Sequence, residues 1–266
     1  MKRRTGYPWA LLAGVPLAVL GACQTAGHSQ SGFLTDYDGL TENRQAVRAS
    51  IREGRDDVAA AGVVRVRLEP AVLVGAAGAG LSPEERRRVL REVDRQVCYE
   101  VSERFDLSPT AEEAARLRVG VTAVKPNGRA AGGLAAAANH FIPGPGTVRA
   151  PGTTGGLAAE VELTDPAGRR IAALTWARDA QPLGTDTPSL SRIGDALQLA
   201  EPFGDAVGDA ISDPGRKVRP IADPDPCAGF GPRIQPGGFL TRAVTGLYVP
   251  EINTGAREEA VDTPPR

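Results

Sequence analysis

The chain is 266 residues long, 41% hydrophobic but only 5% aromatic, and carries a formal charge of −1. With so few rings any core must rest on Val, Leu and Ala, and a near-neutral balance without a clustered basic face excludes a nucleic-acid binder. Setting aside an apolar N-terminus and a Pro- and Gly-rich C-terminus leaves one domain of ordinary size.

Lys2, Arg3 and Arg4 precede an uncharged run of 14 residues, Tyr7 to Leu20. A bilayer core needs about 20 apolar residues, so this run is short for a membrane span and has the length of a secretion-signal core. Leu20, Gly21, Ala22 and Cys23 follow. Small side chains at 21 and 22 fit a peptidase cleft, and the thiol directly after them offers a site for acyl transfer. These four residues resemble the lipobox of bacterial lipoproteins. The resemblance implies a signal peptide over 1–22, lipidation of Cys23, and a lipidated tether over 23–31. An ordinary signal peptide, or an uncleaved anchor beside a coincidental cysteine, is the competing reading. One acyl chain holds a protein only marginally, at about 0.8 kcal/mol per buried CH2, whereas two or three hold it firmly. In such lipoproteins an aspartate after the lipid site favours retention at the inner membrane. Gln24 stands there, which implies the outer membrane, facing the periplasm.

A single domain is expected over 32–212. It opens with Phe33, Leu34, Tyr37 and Leu40, too apolar for a linker and therefore docked on the domain. Val63 to Leu68 alternates as a strand, with Val64, Val66 and Leu68 on one face. The glycine-rich stretch Gly75 to Gly80 follows. Ser82, Pro83 and Glu85 make a helix start with a capping box, and Leu90, Val93, Val97, Val101 and Phe105 form the apolar stripe. Leu117, Val119, Val121 and Ala123 mark the inward face of a second strand. Leu157, Ala159, Val161 and Leu163 do so for a third, with Glu160 and Glu162 facing water. Asp165 to Gly168 is a turn signal, and Ile171 to Trp176 returns as a strand. Glu201-Pro202 reads as the start of the last helix, with Phe203, Ala206, Val207, Ala210 and Ile211 on its buried side. Ala130 to Gly156 reads as a mobile loop. Residues 213–266 read as a Pro- and Gly-rich extension, irregular except where Phe239 to Ile252 docks as a strand or short helix. The fold class is α+β: a small mixed, mostly antiparallel sheet with two helices packed on one face, in the order β-α-β-β-β-α.

With Cys23 assigned to lipid, Cys98 and Cys227 remain as an even pair in an oxidising compartment, the expected disulfide. The alternative is one buried thiol and one stray thiol. The segments GFLTDYDGL, VRVRLEP, RVGVTAVKP and GGLAAEVELTDPAGRRIAAL resemble the proteobacterial lipoprotein family called domain of unknown function 3313, over about residues 32 to 212. That family often has aromatic residues in its last helix, where this chain has Ala, Gly and only Phe203. The resemblance carries no activity.

Candidate chemistry is sparse. Gly75 to Gly80 has G-x-x-G-x-G spacing, which is neither a dinucleotide fingerprint nor a P-loop, and it reads as a connector. His28 and His140 have no partner at metal-ligand spacing. Glu160 and Glu162 form a carboxylate pair at i, i+2, and Asp36 with Tyr37 is a polar-aromatic pair suited to a partner contact. The expectation is an envelope lipoprotein without enzymatic activity, cofactor, metal or nucleotide. It would act as an accessory, assembly or interaction factor toward an envelope protein or the cell wall. The alternative is a binding module for a small apolar or lipid ligand, sited near Phe141.

Overall fold

The structure is a computed structural model that describes residues 30–46, 48–110, 112–128, 147–149, 153–181, 183–184 and 186–253. Strands β1 (Thr41–Glu42) and β2 (Ser50–Arg55) lead into a short helix α1 (Asp57–Gly62). Then come β3 (Arg65–Leu68), β4 (Val72–Leu73), the long helix α2 (Pro83–Ser102), β5 (Asp106–Leu107) and β6 (Ala115–Lys125). They are followed by β7 (Thr147–Val148), β8 (Gly156–Thr164), β9 (Arg170–Asp179), β10 (Leu183–Gly184) and the helix α3 (Gly194–Ile211). Helices α4 (Pro236–Thr245) and α5 (Pro250–Asn253) close the described chain.

One eight-stranded mixed sheet dominates, in the order β1-β2-β9-β8-β6-β3-β5, with β4 also paired to β6. The run β6-β8-β9-β2-β1 is antiparallel, whereas β3 and β4 pair parallel to β6, and β5 parallel to β3. Strands β7 and β10 form a separate antiparallel pair. The architecture is therefore mixed α/β with more strands than the sequence predicts. The added strands are short or, in β2, mostly polar and half-buried on both faces, so no apolar alternation marks them.

Alternation sorts the sheet into two faces. Leu117, Val119 and Val121 of β6, Leu157, Ala159, Val161 and Leu163 of β8, and Ala172, Leu174 and Trp176 of β9 enter one core. Val89, Val93, Val97 and Val101 of α2 and Leu199, Phe203 and Val207 of α3 enter the same core. A bulge between Val121 and Ala123 shifts the β6 register, so Val124 is buried and Ala123 exposed, the reverse of the expected pattern. Val64 likewise precedes β3 and is exposed, leaving Val66 as the buried contact.

The capping box at Ser82 and Glu85 starts α2 as its residues predict. Helix α3 begins at Gly194, and Pro202 sits inside it rather than at its start. A mid-helix proline costs about 3 kcal/mol. The apolar stripe that continues upstream through Ala196, Leu197, Leu199 and Ala200, all buried, more than offsets this. Gly204 and Gly208 bring the two helices close. A methyl at 204 would stand 3.0 Å from the Gln96 carbonyl oxygen, and one at 208 would stand 2.7 Å from the Arg104 guanidinium.

The stretch read as a mobile loop is pinned at its described end. Arg149 donates to both Asp195 oxygens at 2.9 and 2.8 Å, and the Gly155 N–H donates to Asp195 at 2.7 Å. The C-terminal extension is also tied down. Cys98 and Cys227 are joined in a disulfide across 129 positions. Arg233 donates to Asp225 and to the Ser102 hydroxyl, and Tyr248 reaches the main core.

In the chain-entropy picture a cross-link over a loop of this length contributes about 4–5 kcal/mol. The double variant Cys98→Ala/Cys227→Ala is therefore expected to lose up to that amount in denaturant unfolding. Trypsin should then cut it faster at Arg216 and Lys217 than it cuts the oxidised protein.

Candidate functional site

The face of β8 turned away from the helices carries Glu160 and Glu162, and both are buried, at 2% and 0% exposure. The expectation that they face water is thus overturned. Alternation tells which side of a sheet a residue occupies, and it does not tell whether another segment covers that side. Here residues 31–40 lie across it as a strap. The Ser31 N–H and hydroxyl donate to Glu160 at 3.2 and 2.6 Å, and the Tyr37 hydroxyl adds a third bond at 2.6 Å. The Thr35 N–H and hydroxyl donate to Glu162 at 3.0 and 2.9 Å, and the Arg118 guanidinium completes its set. Three donors per carboxylate meet the demand of a buried anion.

Cross-strand neighbours leave the strap its room. Glu160 pairs with Gly120 and Thr175, and Glu162 pairs with Arg118 and Ala173. The ring of Phe33 fills the space above Gly120, where a methyl would stand 2.7 Å from ring carbons. Arg118 lies over that ring, 5.0 Å from its centroid. Leu34 and Leu40 pack with Ala173 in a small second core, joined by Phe33 and Tyr37. Lower on the sheet Arg170 donates to the Asp36 and Asp38 carbonyls at 2.6 and 2.7 Å. The docking expected from Phe33, Leu34, Tyr37 and Leu40 is present, and the carboxylates that hold it went unrecognised. The signal was there: Ser31, Thr35 and Tyr37 are hydroxyl donors at short spacing, and the strand that receives them has two glutamates among apolar neighbours.

Of the proposed partner-contact pair, Tyr37 has its hydroxyl occupied within the molecule, since it also accepts the Gly32 N–H at 2.9 Å. The Asp36 side chain remains exposed. Gly75 to Gly80 forms a run of turns linking β4 to α2. Leu20, Gly21, Ala22, Cys23, His28, His140 and Phe141 lie outside the described residues. Among the described residues no group of three or more His, Cys, Asp or Glu is placed to hold a metal ion. No described helix is long and apolar enough to cross a membrane.

A second feature lies on the opposite side of the molecule. A cavity of about 330 Å³ opens between α2, α3 and α4. Its wall includes the buried pair Glu92 and Arg95, bonded at 2.9 Å, and the pair Arg178 and Asp186 at 2.7 Å. Burial pushes the Glu92 carboxyl up to about 7, against the opposing pull of Arg95 and the Gln96 amide. Burial, then repulsion from Glu100 and Glu201, raises Asp205 to about 6. This cavity is not the apolar site considered from sequence, which is placed near Phe141 and lies outside the described residues.

Two outcomes follow from these geometries. Glu160→Ala removes three hydrogen bonds to a charged group and should cost about 3 kcal/mol in urea unfolding. Gly120→Ala should displace Phe33 and expose residues 31–40 to proteolysis while the sheet stays folded. For Glu92 the native state keeps a proton that the unfolded chain releases near 4.5. Its contribution is therefore complete at low pH and is lost as pH rises to about 7. Relative to the wild type, the melting temperature of Glu92→Gln should improve as pH is raised from about 5 to 8; a pH-independent difference would contradict the assignment.

The sequence matches the family described as Protein of unknown function (DUF3313) over residues 29–207. No curated protein matches it. Among solved structures it is similar to the PelC dodecamer from Paraburkholderia phytofirmans, at 11% identity and a TM-score of 0.35, over 62% of this chain and 97% of that chain. A point variant of that dodecamer gives 11% identity, a TM-score of 0.35, and coverage of 62% and 99%. With the match spanning well over half of its length, the chain belongs to the DUF3313 family of proteins of unknown function.

Proposed function

We propose that the protein is a bacterial envelope lipoprotein, anchored through Cys23 to the outer membrane and facing the periplasm, and that it serves as a non-enzymatic accessory or interaction factor. The strap is the observation that carries this reading. Seven residues separate Cys23 from Ser31, and even fully extended the chain between those two spans no more than about 29 Å. Because Ser31 is fastened to Glu160 in the middle of β8, a lipid at Cys23 would hold the strap-covered face of the sheet next to the bilayer. The helical side, with the C-terminal segment on it, would then point into the periplasm.

That outward side carries an unpartnered apolar surface. Helix α4 turns Phe239, Leu240 and Val244 to solvent, at 77%, 63% and 70% exposure, beside the exposed Ile234. It meets the domain through Gly238, which is buried, and through Arg242, which donates to the Thr187 hydroxyl. A helix docked by its polar edge with its apolar face outward fits a protein partner.

Two measurements test the reading. Intact mass of the protein from bacterial membranes should show a chain that starts at Cys23 and carries acyl groups, and Cys23→Ser should release it from the membrane. Crosslinking in the native envelope should capture a defined protein partner, and Phe239→Ser/Leu240→Ser should abolish capture without lowering thermal stability. An unacylated chain retaining Met1 would overturn the anchoring. Unchanged capture by the double variant would overturn the assigned surface.

A further inference from the structure

The cavity between α2, α3 and α4 is lined by charges of both signs, and two of them, Arg242 and Glu201, are exposed and have no ion-pair partner among the described residues. On its cationic side, Arg242 bonds only to the neutral Thr187 hydroxyl, at 3.0 Å, and has no carboxylate partner among the described residues. Arg178, already paired with Asp186, keeps a buried Nε–H without an acceptor. On its anionic side, Glu201 and Asp205 stand at i, i+4 along α3 and so share one helix face. Glu201 has neither a hydrogen bond nor an ion pair among the described residues, and the groups that act on Asp205 are further carboxylates.

An independent observation comes from Tyr248. It is buried, with 6% exposure, and lines the same cavity. Its ring is buried, but its hydroxyl, which has no hydrogen-bond partner among the described residues, is not one of the fully buried unpaired atoms and so opens into the cavity. After burial itself, the influences on this phenol are Glu92, Arg95, Arg242 and Glu201, all of them cavity-lining groups. The hydroxyl thus faces the cavity among its charges, where a ligand atom could bond to it.

We propose that this cavity is a binding site for a small zwitterion, an α-amino acid or a dipeptide. The ligand carboxylate is held by Arg242, its ammonium by Glu201 and Asp205, and a polar atom between them by the Tyr248 hydroxyl. Size agrees with the chemistry. At about 330 Å³ the cavity lies at the small end of the 300–1,000 Å³ typical of ligand pockets. A plain anion would leave the α3 carboxylates repelling one another. A plain cation would leave Arg242 uncompensated. A zwitterion satisfies both sides at once, and charge-assisted hydrogen bonds give each end separate recognition. The site stands on the cavity alone, so it does not depend on the anchoring proposed through Cys23.

Calorimetric titration of the detergent-solubilised full chain tests this with four probes: alanine, alanyl-alanine, N-acetylalanine and alanine amide. Alanine or alanyl-alanine should bind, and comparison of the two separates a free amino acid from a peptide as the source of the chemistry. Each blocked analogue should bind about tenfold or more weakly, as loss of one charge-assisted contact implies. Arg242→Ala should weaken the zwitterion and erase its advantage over the amide. Glu201→Gln should erase its advantage over the acetylated form. Both residues are exposed, so neither change should alter the circular dichroism spectrum, and Tyr248→Phe supplies a third variant that keeps the buried ring. Absence of binding by both zwitterions at 10 mM, or equal binding of blocked and free forms, would overturn the proposal.

Discussion

Two carboxylates on the outer face of a central strand govern how this molecule is put together. Glu160 and Glu162 stand where the alternation of β8 would ordinarily meet water, and instead a chain segment closes over them. Burial of ionised carboxylates is tolerable only when donors replace the lost hydration. The strap supplies those donors from Ser31, Thr35 and Tyr37, and the sheet itself adds Arg118. Polar bonds fix the register of the strap, while Phe33, Leu34 and Leu40 remove apolar area from water. Neither half suffices alone: unbonded carboxylates would reject an apolar cover, and a strap without them could slide.

The other face follows different rules. Its core is assembled mainly from Val, Leu and Ala, with the rings of Trp176 and Phe203 in contact, 5.5 Å between centroids. Small residues let the layers approach, as at Gly204 against Gln96. Over this side the C-terminal segment returns, held by the Cys98–Cys227 bond, the Arg233 cluster and Tyr248. The segment therefore adds a wall to the domain, and between that wall and the two long helices lies the charged cavity. The layering separates two jobs: one side receives the N-terminal strap, and the other offers surfaces and a cavity.

Much of this order was legible from the residues. The capping box of α2, the inward rows of β8 and β9, and the pairing of two leftover cysteines rest on local chemistry or on parity. What escaped has physical reasons. The bulge in β6 reverses alternation within one residue, so Ala123 and Val124 exchange faces. Strand β2 sits near the sheet edge and needs no apolar pattern. Pro202 looks like a helix start because proline favours that position, but the upstream stripe from Ala196 to Ala200 had more apolar area to bury. The Glu160 and Glu162 covering is a contact between segments over 120 positions apart, and no local pattern reports it. The cavity is similar, since Arg178, Glu201 and Arg242 come together only through the return of the C-terminal segment.

The strap links this architecture to its proposed role, because under that proposal it would convert a short tether into a defined orientation of the domain. Hydrogen–deuterium exchange of the protein interrogates that link most directly, at the amides of Ser31 and Thr35, which donate to Glu160 and Glu162. A docked strap predicts protection of these amides well above that of an unstructured peptide, lost together when both glutamates are replaced by alanine. Exchange at the unstructured rate in the unmodified protein would contradict the account.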